Sequence, residues 1–304
     1  MAHRPMENGQ SLRLGVIGSS EGNGHPYSWA AIFNGYDAAA MASCPFPVIP
    51  AYLARQSFPA DAIPGARVTC VWTQDRAEAE HIARASLIPT VVERYQDMVG
   101  QVDAVLLARD DAENHLEMSR PFLDAGLPVY IDKPVALTLR TLEALFALQQ
   151  RPGQIFSCSA LKYAREFELT EAVRRELGTI RSVAAVSPKS WEKYGAHIVD
   201  PVLRMFSLSG KDCRVGAKRV GATTEVAVEW ENFSATFANL GPAAGDIRIT
   251  LVGEKGSKEM VFKDSFAAFK RTLEIFVEGV RTGNEMIAKT DMISFVSILE
   301  RGAL

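Results

Sequence analysis

The sequence predicts an α/β protein: an N-terminal Rossmann-type parallel-sheet domain, then an α+β domain with an open, mostly antiparallel sheet. Three observations carry this prediction. Short apolar runs alternate with amphipathic helical stretches through the first half of the chain. The patterning changes to period two beyond Gly178. Polar or glycine-rich residues gather where each early apolar run ends. A chain of 304 residues accommodates two domains of ordinary size, expected over 1–157 and 158–304.

The early strands are read at RLGVIG (13–18), ARVTCVW (66–72), VDAVLLA (102–108), PVYI (128–131) and QIFSCSA (154–160). Their near-continuous apolar character fits strands covered on both faces. Between them, DRAEAEHIARAS, NHLEMSRPFLDAG and TLRTLEALFALQQ place apolar residues at i, i+3, i+4 spacing, which makes them helices and the sheet parallel. ELTEAVRRELG is a further amphipathic helix closed by Gly178. Beyond it Val226, Val228 and Trp230 alternate with Glu225, Ala227 and Glu229, and Ile247, Ile249 and Leu251 alternate with Asp246, Arg248 and Thr250. One apolar and one polar face is the pattern of an antiparallel sheet. Two helices close the chain, SFAAFKRTLEIFVEGVRTG and DMISFVSILERG.

Composition excludes several functional classes. Hydrophobic residues make up 47% and charged residues 23%, and the net charge of −3 gives no attraction for nucleic acid or an anionic membrane. No apolar run approaches the roughly 20 residues that cross a bilayer. MAHRPMENGQ lacks the apolar centre of a signal peptide and reads as a flexible lead-in to a cytoplasmic protein. Cys44, Cys70, Cys158 and Cys213 share no metal-ligand spacing and read as reduced thiols; no metal site is expected.

In an open parallel sheet, ligands bind beyond the carboxyl ends of the strands. Those ends read GSSEGNGH (18–25), WTQDRA (72–77), ARDDAENH (108–115) and DKP (132–134). Gly18, Ser19, Ser20, Gly22 and Gly24 form a glycine-rich turn that departs from G-x-G-x-x-G, with a serine in the second position. Such a turn would bring backbone N–H groups to a pyrophosphate, or would simply be a turn. At the second strand's tip Thr73 and Arg76 leave room for a 2′-phosphate, whereas Asp75 suits an unphosphorylated ribose, so NAD and NADP both stay open. Ala108 and Arg109 stand at the third strand's tip, where they would contact the cofactor or, for the charged side chain, simply solvate the loop, and Lys133 is expected to project into the cleft.

With these tips in view, VDAVLLA…NH…FLDAGLPVYIDKPVALTL, ELGTIRSVAAV, YGAHIVDPVLRM and the closing helix pair resemble the Gfo/Idh/MocA family of NAD(P)-dependent oxidoreductases over nearly the whole chain. Asp132-Lys133-Pro134 is similar to its Glu-Lys-Pro signature, and Gly195, His197 and Asp200 to its Gly-x-His-x-x-Asp helix. The resemblance implies hydride transfer between NAD or NADP and a carbonyl or secondary alcohol of a sugar, polyol or derivative. It makes Lys133 and His197 the proton-handling pair and Asp132 a cofactor contact. Lys193 stands where the family carries an aspartate, one helical turn before His197. With Lys189, Trp191 and Tyr194, Lys193 would then line a pocket for an anionic substrate. The resemblance also implies a homodimer or homotetramer formed through the C-terminal sheet. The alternative is a catalytically degenerate dinucleotide-binding sensor or structural protein of the same fold.

Overall fold

The computed structural model describes residues 10–243 and 245–304, so the expected N-terminal lead-in lies outside the described residues except for Gln10. The chain divides into two compact units. One contains the chain up to residue 132 with 144–157 and 269–287; the other contains 133–143, 158–268 and 288–304.

The first unit is a parallel sheet with its helices. In chain order it runs β1 (Leu12–Ile17), α1 (His25–Asn34), α2 (Ala38–Met41), α3 (Val48–Leu53), β2 (Ala66–Trp72), α4 (Arg76–Ala85), β3 (Thr90–Val91), β4 (Ala104–Leu107), α5 (His115–Asp124) and β5 (Val129–Ile131). After α6 (Leu139–Ala147), β6 (Ile155–Phe156) completes the sheet. The order is β3-β2-β1-β4-β5-β6, every pairing parallel, and it reverses direction between β1 and β4. All residues of β4 and β5 are buried, as their unbroken apolar runs require. Asp75 starts α4 by accepting the Ala77 N–H, a side-chain N-cap.

Aromatic rings fill the centre of this unit. Trp29 stacks on Tyr130 at 4.6 Å, and Tyr130 meets Phe156 edge-on at 4.7 Å. Phe276, from a helix near the C-terminus, lies 5.6 Å from both Tyr130 and Phe156. All four rings are buried.

The second unit begins its regular structure with α7 (Glu171–Leu177), which Thr170 caps through the Val173 N–H. There follow β7 (Ile180–Ser187), α8 (Trp191–Met205), β8 (Arg214–Val220), β9 (Thr223–Trp230), β10 (Phe233–Asn239), β11 (Arg248–Gly253) and β12 (Gly256–Val261). Helices α9 (Ser265–Thr282) and α10 (Lys289–Gly302) end the chain. The sheet order is β12-β11-β7-β10-β9-β8. It is mixed: β7 and β10 are parallel and the remaining pairs antiparallel. Val226, Val228, Trp230, Ile249 and Leu251 point inward as their period-two spacing predicts.

Three elements differ from expectation. The strand expected over 154–160 stops at Phe156, because Ser159 turns the chain by accepting the Leu161 N–H ahead of a 3-10 turn at Ala160–Tyr163. Strand β3 has two residues and no periodicity to read. Strand β8 is a charged edge strand whose alternation is hidden by Arg214, Lys218 and Arg219. Among the described residues all four cysteines are free, no helix is long and apolar enough to cross a membrane, and no His/Cys/Asp/Glu cluster has the form of a metal site.

Phe276→Ala should remove the ring shared by Tyr130 and Phe156 and lower unfolding free energy by about 3–5 kcal/mol. Urea titration followed by tryptophan fluorescence checks this.

Candidate functional site

The reversal between β1 and β4 is where a doubly wound sheet opens a crevice at its strand tips. The glycine-rich loop after β1 lies there, and its glycines have separate reasons. A Cβ on Gly18 would lie 2.2 Å from Pro26 Cγ, and one on Gly24 would lie 2.5 Å from Ile49 Cδ1 and 2.6 Å from Phe46 Cδ2. Both are close-packing positions. Gly22 has φ +79° with open space around it, so backbone conformation selects glycine there.

The loop is tied by side chains to three other strand tips and to the first turn of α4. Gln74, beyond β2, accepts the Ser19 N–H (3.2 Å) and donates to the Ser19 carbonyl (3.0 Å). The Ser19 hydroxyl donates to Glu78 Oε2 at 2.5 Å, and the Ser20 hydroxyl to Asp110 Oδ1 at 2.7 Å. Asp132, at the tip of β5, is buried and accepts from Asn23 Nδ2 (2.9 Å) and His25 Nδ1 (2.5 Å). Asn23 also accepts the His25 N–H at 2.8 Å, and the His25 ring stacks on Trp29 at 4.9 Å. Glu78 and Asn23 were not singled out in the sequence. A polar side chain in a strand-to-helix loop or in the first turn of a helix looks like ordinary solvation until its partner is seen.

The residues expected to choose between NAD and NADP are otherwise engaged. The Thr73 hydroxyl donates to the Asp75 carbonyl, and the Asp75 side chain caps α4. Arg76 is exposed and pairs with Glu80 (3.0 Å) and Glu93. At the tip of β4, Ala108 is buried and its N–H donates to the Ile17 carbonyl at 2.8 Å. Arg109 is buried, pairs with Asp111 and donates to Gln74 Oε1 at 3.2 Å. The Arg109 carbonyl accepts from His115 Nε2 at 2.8 Å. Burial pushes the Asp111 carboxyl up, but the Arg109 guanidinium and the Asn114 amide outweigh it and hold it below the usual carboxylate range.

The second unit holds Lys133 and His197, the two residues expected to handle a proton. Lys133 is 4% exposed and directly follows Asp132. His197 lies in the middle of α8, whose start is fixed by Asn239 Nδ2 donating to the Ser187 hydroxyl (2.6 Å) and the Ser190 carbonyl (3.3 Å). Ser159 Oγ is 2.9 Å from His197 Nδ1, and Tyr194 meets the imidazole edge-on at 4.9 Å. Lys189 Nζ lies 4.4 Å above the Tyr194 ring, while Lys193 is exposed. Trp191 corrects the expectation of a pocket wall. It is 1% exposed, donates its indole N–H to the Leu299 carbonyl at 2.9 Å and packs against Gly195 and Gly302, so it is a core residue.

Two outcomes test this geometry. Gly18→Ala should disrupt the loop through its clash with Pro26, lowering the thermal midpoint and weakening dinucleotide affinity together. For Asp111 the depressed pKa means stability present above the ordinary carboxylate value of about 4 and lost as pH falls through the depressed one. Asp111→Asn should therefore be less stable than wild type at neutral pH, with the gap closing in acid-unfolding curves below that value.

A sequence model described as the oxidoreductase family with an NAD-binding Rossmann fold, Gfo/Idh/MocA, matches residues 48–159. A protein of Amycolatopsis mediterranei named for the oxidoreductase subunit of UDP-kanosamine synthase is 28% identical over 110 residues, 36% of this chain. The chain spans 30% of that relative's length. Among solved structures, GenD2 from gentamicin A biosynthesis in complex with NAD superposes with TM-score 0.71 at 15% identity, over 99% of this chain and 95% of its own. Scyllo-inositol dehydrogenase from Lactobacillus casei, with NAD(H) and scyllo-inositol bound, gives 0.68 at 14% identity over 96% of both chains. Myo-inositol 2-dehydrogenase from Lactobacillus plantarum gives 0.68 at 15% identity over 95% of both. At these identities the superpositions speak for the fold. The sheet reverses beside the β1 loop, which is the place a dinucleotide takes in such a sheet; at the start of α1 Asn23 accepts the His25 N–H and Pro26 has none, so the loop backbone before the helix is left to meet a phosphate. Sheet order, loop position and the matched stretch agree: residues 48–159 match the Gfo/Idh/MocA oxidoreductase family, which is described with an NAD-binding Rossmann fold.

Proposed function

We propose that the protein is an NAD(P)-dependent dehydrogenase or reductase acting on a carbonyl or secondary alcohol of a sugar, polyol or sugar derivative. The observation that carries this reading is the setting of Lys133. It is a buried lysine directly beyond the tip of β5, in a sheet whose order reverses one strand away between β1 and β4. Lysine is among the residues least often buried, and strand tips at a reversal are where an α/β sheet holds its ligand.

When bound, the nicotinamide accepts or supplies the hydride. Oxidation of an alcohol also requires a base for its hydroxyl proton, and reduction an acid to return it. Lys133 as amine or ammonium meets both needs, and His197 is the second group for the same oxygen. Lys189 and Lys193 at the start of α8 add positive charge that favours an anionic substituent on the substrate. A second copy of the chain would dock on the solvent side of the C-terminal sheet, where small residues such as Ala184, Ala227 and Thr236 lie exposed. The inositol dehydrogenases and the kanosamine-pathway relative support a polyol or amino-sugar class.

One observation favours a second reading, a dinucleotide-binding sensor without turnover. The hydroxyls of Ser19 and Ser20, which would face a pyrophosphate, are held by the carboxylates of Glu78 and Asp110. A panel of inositols, sugars and sugar acids with NAD+ and NADP+, followed by reduced-nicotinamide absorbance, separates the two. Turnover with any member supports the enzyme; cofactor binding with no absorbance change across the panel supports the sensor. On an active substrate Lys133→Ala should lower kcat by about 10²–10⁴-fold while cofactor Kd stays within about twofold. Turnover surviving that change within a few-fold would remove Lys133 from the mechanism.

A further inference from the structure

The contacts of Ser159 specify which ring nitrogen of His197 carries the proton. Ser159 is fully buried. Its backbone N–H donates to Asp200 Oδ2 at 2.8 Å, and its hydroxyl oxygen accepts the Leu161 N–H at 3.2 Å. The same oxygen lies 2.9 Å from His197 Nδ1. A serine hydroxyl has one proton to donate and lone pairs to accept with. Leu161 uses the accepting side, so the proton needs an acceptor, and among the described residues His197 Nδ1 is the one in contact. Donation to a bare Nδ1 satisfies serine, imidazole and backbone together. An Nδ1–H pointing at the serine would instead leave the hydroxyl proton buried without a partner, which is unfavourable.

The serine is held firmly enough to impose this choice. Asp200, which takes the Ser159 N–H, sits three residues after His197 on α8, so one helix carries both the ring and the clamp on its partner. Lys162 Nζ donates to the other carboxylate oxygen of Asp200 at 2.9 Å, and both side chains are buried. The Tyr194 edge lies against the imidazole from one turn earlier.

We propose that Ser159 is a positioning residue that fixes His197 as the Nε2–H tautomer, so that this imidazole serves the reacting oxygen as a neutral hydrogen-bond donor and Lys133 alone transfers the proton. The inference rests on the dehydrogenase reading for its chemical use, though not for the tautomer. A neutral imidazole that surrendered its remaining proton would become an imidazolate, so the Nε2 proton stays on the ring throughout. In oxidation the C–H bond breaks with its electron pair passing to the nicotinamide, and the O–H proton passes to the Lys133 amine as the carbonyl forms. In reduction the Lys133 ammonium returns that proton to the oxygen while Nε2–H stabilises the charge developing on it. A neutral histidine acting as an electrophile in this way has precedent in other enzymes.

The test is long-range ¹H–¹⁵N correlation spectroscopy on protein labelled at histidine, at about pH 8, above the ordinary histidine range. His197→Gln identifies the His197 signals by their loss. The expected wild-type pattern is a pyridine-type Nδ1 and a pyrrole-type, proton-bearing Nε2. Ser159→Ala should convert this pattern to a mixture of tautomers, and Ser159→Thr, which keeps the hydroxyl, should preserve it. A proton on Nδ1 in wild type, an imidazolium at that pH, or an unchanged pattern in Ser159→Ala each overturns the proposal. If Ser159→Ala does not fold, the wild-type and Ser159→Thr spectra decide. With an active substrate, Ser159→Ala should lower kcat about tenfold with KM within about twofold, and Ser159→Thr should recover most of the loss. The expected tautomer in a protein that turns over no substrate would uphold the serine's hold on the ring and overturn the dehydrogenase reading.

Discussion

The second unit depends on the carboxylate of Asp200. It is 2% exposed and receives the Lys162 ammonium at one oxygen and the Ser159 N–H at the other. Lys162 also approaches Asp291 at 3.4 Å, at the start of α10. Burial works against the charge on Lys162, but Asp200 and Asp291 outweigh it and raise its pKa above the ordinary lysine value, so the ammonium persists. A buried ion pair contributes little net stability compared with well-packed apolar side chains, yet removal of one partner strands the other's charge. Its value here is positional. It ties the turn after β6 to the middle of α8, and that turn carries the serine that meets His197.

A similar use of polar groups shapes the first unit. The loop after β1 does not present glycines to open space at each position of a standard fingerprint; Gly18 and Gly24 are glycines because Pro26, Phe46 and Ile49 press on them. The loop's conformation is held by Gln74, Asp110 and Asp132 from neighbouring strand tips and by Glu78 from the first turn of α4. A family fingerprint can therefore drift while the loop keeps its place, since hydrogen bonds from outside the loop can replace the constraint that glycine spacing supplies. Pro26 fits this scheme, occupying the first turn of α1 where a missing N–H costs no helical bond.

Much of the fold was legible because burial imposes periodicity. Continuous apolar runs marked β1, β2, β4 and β5, and alternation marked β9 and β11 with the correct inward residues. Strands β3 and β8 were not legible, one being too short and the other an edge whose charges mask its phase. Which pair departs from the mostly antiparallel pattern was also hidden, because alternation reports which face is buried and is silent about strand direction. At the strand tips the sequence located the right segments but not the pairings within them. Asp75 and Arg76 looked available for a ribose, yet one caps a helix and the other pairs with two glutamates, contacts set by residues up to 17 positions away. Trp191 looked like a pocket aromatic beside lysines, and the packing of α10 made it core. Ser159 carried no signal of its own, since its role appears only once Leu161, Asp200 and His197 are brought around it.

The parallel pairing of β7 with β10 has a consequence for how the second unit is assembled. Ser182 pairs with Ser234 and Ser187 with Asn239, so α8, β8 and β9 all lie within the intervening chain. The hairpins β8–β9 and β9–β10 close locally, but the joint that completes the sheet joins residues far apart in the chain. Such a topology has high contact order, and loop-closure entropy must be overcome before the pairing returns any energy. The histidine-bearing helix lies wholly inside that interval, so its packing against β7 and β10 belongs to the non-local part of this unit's assembly.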